Sequence, residues 1–120
     1  MILKMNNKDE KFYQYMGKLF GSRKIQNKTN DRIYDDDDKI WYIYLEEDDE
    51  LVAFVSLCNN VIKNVYATND VALEKLLKKV KKENIVNSST VTNIYKEIYI
   101  KADYKLQETN NYKNFVVISE

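Results

Sequence analysis

The stretch VIKNVYATNDVALEKLLKKV, Val61 to Val80, decides the fold, because strand periodicity gives way to helical periodicity inside it. Val61, Ile62, Val65, Tyr66 and Ala67 form a short apolar run of β-branched and aromatic character. Leu73, Leu76, Leu77 and Val80 then recur at helical spacing. Thr68, Asn69 and Asp70 are the whole junction, so the pattern predicts a strand over 61–67 feeding a helix over 70–83. The mouth above such a junction is where α/β proteins collect anionic ligands, since the first turn of the helix presents unpaired N–H groups and a positive dipole end.

Working outward, Asn59-Asn60 precede this unit and a continuous apolar run, Leu51 to Leu57, precedes them. A run without polar alternation needs cover on both faces, which predicts a central strand. Ile40 to Leu45 reads as its neighbour, joined to it by the charged connection Glu46-Glu47-Asp48-Asp49-Glu50. Upstream, residues 2–5 read as a strand, and Phe12, Tyr15, Met16, Leu19 and Phe20 trace one face of a helix over 8–20 with Gly21 as its cap. Downstream, 85–89 reads as a short strand, and Val91, Ile94, Tyr95, Ile98 and Ala102 follow helical spacing over 92–102. Two closing strands, 104–109 and 112–119, flank Asn110-Asn111 as a hairpin. With no repeat or low-complexity linker, the pattern is one α/β domain over 1–120.

Composition removes several chemistries. The 120 residues contain no histidine, which excludes Ser-His-Asp, Cys-His and His-ligated metal sites, and one cysteine, which excludes an internal disulfide. Cys58 ends an apolar run and is expected in the core. Nineteen basic and nineteen acidic residues balance to zero net charge, so the electrostatic footprint of a general nucleic-acid binder is missing. No apolar stretch approaches the roughly 20 residues of a membrane span, and the N-terminus lacks a secretory apolar core, so a cytoplasmic protein is expected. Proline is absent and glycine occurs twice, leaving asparagine pairs to make the turns.

Charged runs have ordinary and functional readings. Asp35, Asp36, Asp37 and Asp38 lack the alternating spacing and turn glycine of a calcium loop, so no metal site is expected. They read as a solvated loop that, with Glu46, Glu47, Asp48 and Asp49, could face a partner with a basic surface. Lys75, Lys78, Lys79, Lys81 and Lys82 read as the solvated side of the 70–83 helix.

Ile98-Tyr99-Ile100-Lys101-Ala102-Asp103-Tyr104 resembles, in register, the Leu-Tyr-x-Lys-x-Gly-Phe signature of the GNAT acetyltransferase superfamily, with Asp for Gly and Tyr for Phe. Tyr34-Asp35-Asp36, Trp41 and Val52 to Leu57 are similar to the middle of members found in phages and Gram-positive bacteria. The resemblance implies a mixed, mostly antiparallel central sheet with helices on both faces. It implies acetyl-CoA held where the fourth and fifth strands splay apart, its pyrophosphate on a glycine-rich loop. It also implies a tyrosine, here Tyr99, that protonates the leaving thiolate.

That loop is missing: no glycine follows Gly21, and Asp70 places a carboxylate where a pyrophosphate would sit. The expected function is therefore a GNAT-like protein without acetyl-CoA catalysis that binds another protein, such as an inhibitor of a host or defence factor. The alternative is a minimal N-acetyltransferase. In it Tyr99 and Asp70 would act on the proton, and Val65, Ala67, Thr68, Asn69, Val71, Lys75 and Asn93 would hold acetyl-CoA. A homo-oligomer is a third arrangement.

Overall fold

The computed structural model describes residues 1–20, 22–29, 33, 38–110 and 113–118. Its elements are β1 (Ile2–Met5), α1 (Phe12–Met16), α2 (Arg23–Thr29), β2 (Lys39–Leu45), β3 (Leu51–Cys58), β4 (Val61–Ala67) and α3 (Asp70–Glu83), then β5 (Ser89–Thr92), α4 (Lys96–Lys101), β6 (Lys105–Glu108) and β7 (Asn114–Ile118). Short 3-10 turns at Glu47–Asp49 and Asn93–Tyr95 complete it. The architecture is mixed α+β, with antiparallel sheets in the orders β1-β2-β3-β4 and β5-β7-β6.

Period-two alternation sorts side chains between the two faces of the larger sheet. Trp41 and Ile43 of β2 and Phe54 of β3 face Phe12, Met16 and Ile25 of α1 and α2. Tyr42, Val55 and Val65 point the other way, onto Leu73, Leu76 and Leu77 of α3, and Tyr99 of α4 joins them. As its unbroken apolar run predicts, β3 is central, paired to β2 on one side and β4 on the other. Three buried polar side chains of these strands are matched: Ser56 Oγ donates to Asn64 Oδ1 at 3.2 Å and accepts the Asn64 N–H at 3.0 Å, and buried Lys39 donates to Asn64 Oδ1 at 2.9 Å. The Trp41 indole N–H, buried in the same sheet, has no acceptor among the described residues.

Turn chemistry follows the asparagine expectation at β3–β4, where Asn59 and Asn60 have φ of 52° and 66° and form the two-residue loop. Left-handed backbone at both positions is what a hairpin with the native strand twist requires, and asparagine tolerates it. Aspartate does the same at Asp48, Asp49 and Asp103. The Gly21 cap and the Asn111 half of the last turn fall outside the described residues.

Four expectations change. The 8–20 helix is regular only over α1, and the chain continues as turns that still bring Leu19 and Phe20 against the core. The strand expected at 85–89 is β5 at Ser89–Thr92 instead, because Ile85 is 84% exposed and pairing with β7 starts at Ser89. The 92–102 helix is split into a 3-10 turn and α4, and Cys58 is half-buried at a strand end.

α3 carries the apolar weight of its face: Leu73, Leu76, Leu77 and Val80 have no exposed surface. Leu76→Ala is expected to cost about 2–5 kcal/mol in denaturant unfolding, whereas Lys75→Ala on the exposed side should stay within about 0.5 kcal/mol.

Candidate functional site

The chain segments 60–67 and 87–95 run side by side in the same direction. They are joined at one end, where the Asn87 N–H donates to the Asn60 carbonyl at 2.7 Å and the Ile62 N–H to Ser89 Oγ at 2.9 Å. Beyond that, β4 and β5 belong to separate sheets with no backbone ladder between them, and the strip where the two sheets part is called the wedge below. At its far end the Ala67 N–H donates to the hydroxyl of Tyr95 at 3.0 Å, and that hydroxyl is 3.5 Å from the Ala67 carbonyl. Lys28 Nζ, reaching across from α2, donates to the same carbonyl at 3.0 Å and lies 5.2 Å from the Tyr66 ring centre. One side chain thus serves the Ala67 N–H as a neighbouring strand would, and two converge on its carbonyl.

The helix entry beside the wedge is occupied in the same way. Thr68 donates its N–H back to the Val52 carbonyl at 2.8 Å. Asn69 is the N-cap of α3: its Oδ1 accepts the Ala72 N–H at 3.1 Å while its Nδ2 donates to Glu46 Oε1 at 2.9 Å. Asp70 follows in the first turn. Two carboxylates and a capping amide therefore occupy the positive end of the helix, where an incoming phosphate would meet like charge.

Electrostatics agree with the packing. Burial pushes the Tyr95 phenol above its ordinary value against the Ala67 bond that lowers it, and Tyr66 and Asp70 push the same way as burial. Burial likewise raises Tyr104, whose hydroxyl donates to the Leu77 carbonyl at 2.8 Å, and Tyr42, whose hydroxyl donates to Glu83 at 2.8 Å. These phenols are held neutral.

The residues named from sequence distribute as follows. Ala67, Thr68, Asn69 and Asp70 cluster at the wedge mouth, and Val65 is buried in the core below them. Val71 and Lys75 are exposed on α3. Asn93 lies on the β5–α4 side, donating its N–H to the Lys113 carbonyl at 2.8 Å. Tyr99 is fully buried, its ring edge-on to Tyr104 and Phe115 at 5.6 and 5.5 Å.

Glu46, Glu47, Asp48 and Asp49 form one exposed acidic connection, and Glu46, Glu47, Asp48 and Glu50 border an open hollow of about 770 Å³ with Met1, Tyr44 and Leu45. Asp38 is exposed at the start of β2, and Asp35, Asp36 and Asp37 lie outside the described residues. Among the described residues no group of three metal-ligating side chains comes together, and no helix is long and apolar enough to cross a membrane.

Sequence reasoning missed Tyr95, Lys28 and the cap-supporting role of Glu46. Tyr95 sat in an apolar stripe where any large residue fits, and Lys28 in a segment without periodicity.

Tyr95→Phe strips the buried Ala67 N–H of its partner and is expected to cost about 1–3 kcal/mol by chemical denaturation. Asn69→Ala removes the cap and should cost about 0.5–2 kcal/mol. Because folding raises the pKa of Tyr42, Tyr95 and Tyr104, their contribution is complete below the unfolded value of about 10 and is lost as pH rises through the folded values. Stability should therefore fall from about pH 10 upward, less steeply in Tyr95→Phe, and a pH-independent unfolding midpoint across that range would contradict the assignment. Compared with protein-family models, curated proteins and solved structures, the chain matches none.

Proposed function

We propose that this chain is a GNAT-like protein that does not use acetyl-CoA and acts by binding another protein through its acidic connection. The observation that carries the reading is the wedge mouth: the Ala67 N–H and carbonyl are bonded by Tyr95 and Lys28, and the α3 entry is capped by Asn69 and faced by Glu46. A cofactor threading between β4 and β5 would have to break these bonds, and its phosphates would meet Glu46 and Asp70.

The GNAT part of the reading is supported by the strand order, four antiparallel strands then β5-β7-β6, with the wedge between β4 and β5. Asp103 supports it too, since it stands at the glycine of the Leu-Tyr-x-Lys-x-Gly-Phe signature and has φ of 66°, a conformation that favours glycine. The partner part is supported by five consecutive carboxylates, Glu46 to Glu50, all exposed beside an open hollow. Such a surface steers association with a basic protein, an inhibitory contact with a host or defence factor being one such role, and weakens with salt.

Isothermal titration with acetyl-CoA is expected to give no saturable heat up to millimolar cofactor, and saturable micromolar binding would overturn the loss of cofactor use. A partner retained by the wild-type chain should be lost by Glu47→Lys/Glu50→Lys, with Lys75→Ala as a folded control. Equal retention by the charge-reversed chain would overturn the acidic surface as the contact.

A further inference from the structure

The outward face of α3 is not used by the wedge. Val71, Lys75, Lys78 and Lys82 are exposed along it at helical spacing. Towards its C-terminal end Lys78, Lys81, Lys82, Ala102 and Asp103 line a groove of about 390 Å³. The groove has one fixed cation: Lys81 Nζ donates to the Asp103 carbonyl at 2.5 Å and lies 5.6 Å from the Tyr104 ring centre. Lys78 pairs with Glu74 at 2.9 Å within the helix, and the Asp103 carboxylate also faces Lys78, so Lys81 and Lys82 against Asp103 leave the groove net positive.

At the other end of the same helix the Asn69–Glu46 bond tethers the acidic connection Glu46 to Glu50. A helix of 14 residues spans about 20 Å, so a chain of zero net charge holds a basic groove and an acidic loop roughly that far apart.

We propose that the lysine groove docks the acidic connection of a second copy of this chain, the two copies pairing antiparallel along α3. Charge complementarity selects a second copy: the net positive groove attracts carboxylates, and this chain supplies five in a row at the distance the helix sets. Pairing about a two-fold axis makes both contacts at once and closes, whereas a head-to-tail arrangement would leave one groove and one loop open. Antiparallel α3 helices also bring each positive dipole end near the negative end of the other. Val71, 62% exposed on the same stripe, adds an apolar contact. Exposed charge pairs are individually weak and screened, so the pair forms at low salt and separates at high salt. The inference rests on the acidic connection being a contact surface, as proposed above, and is independent of cofactor use.

Sedimentation equilibrium of the full chain at about 100 μM is the test, in about 20 mM and about 500 mM salt, where the screening length falls from about 20 Å to a few ångströms. Twice the chain mass at low salt and the chain mass at high salt are expected. Lys78→Glu/Lys82→Glu and Glu47→Lys/Glu50→Lys should each be monomeric alone, and mixing the two should restore the dimer, since both contacts regain opposite charge. Restoration on mixing cannot come from unfolded chains. A wild-type monomer at every salt concentration overturns the second copy while leaving capture of a basic partner standing, as does a dimer indifferent to both charge reversals.

Discussion

The structure depends on how the free edge of β4 is satisfied. A strand edge facing a neighbour must place its N–H and carbonyl groups against partners or water, because a buried orphan costs as much as a lost hydrogen bond. In this chain the lower part of that edge meets Asn87 and Ser89, and its upper end meets the Tyr95 hydroxyl and the Lys28 ammonium. The two sheets are thereby tied at both ends of the wedge although no strand ladder joins them. The 3-10 turn over Asn93–Tyr95, which interrupts what the spacing predicts as one helix, is what carries Tyr95 to this position.

The same economy governs the α3 entry. A three-residue junction leaves no slack for a phosphate-binding loop, so the Ala72 N–H is served locally by the Asn69 side chain, and Glu46 and Asp70 supply the negative charge that the dipole favours. Glu46 belongs to the β2–β3 connection, so the cap also fixes one end of that acidic loop. Cap, loop and helix form one unit with carboxylates at one end and lysines at the other. The functional proposal and the pairing proposal both grow from this unit and share its acidic connection, to which the pairing adds the lysine groove.

Much of this was legible in the residues. The 61–80 stretch marks its strand, junction and helix because its periodicity changes once and sharply, and the unbroken 51–57 run marks its central strand. Asn59-Asn60 was readable as a turn since few residues accept its backbone. The failures have a common cause in tertiary pairing. Ile85 and Val86 have strand character, yet Ser89 is where β7 offers a partner. Tyr95 reads as one more apolar-stripe residue, because its value lies in a hydroxyl that meets a backbone 28 positions away. Lys28 carries no local signal at all, and the acidic loop read as a hairpin connection without showing that Glu46 holds a helix cap.

The wedge between β4 and β5 is closed by the chain's own side chains, and the exchange rate of one amide reads that closure directly. Hydrogen exchange at the Ala67 N–H, followed by NMR in the wild-type chain, should be as slow as that of core β3 amides such as Val55 and Phe54, and should quicken selectively in Tyr95→Phe. Exchange at Ala67 as fast as in an exposed turn, with the β3 amides still protected, would show an open cleft and overturn the closure.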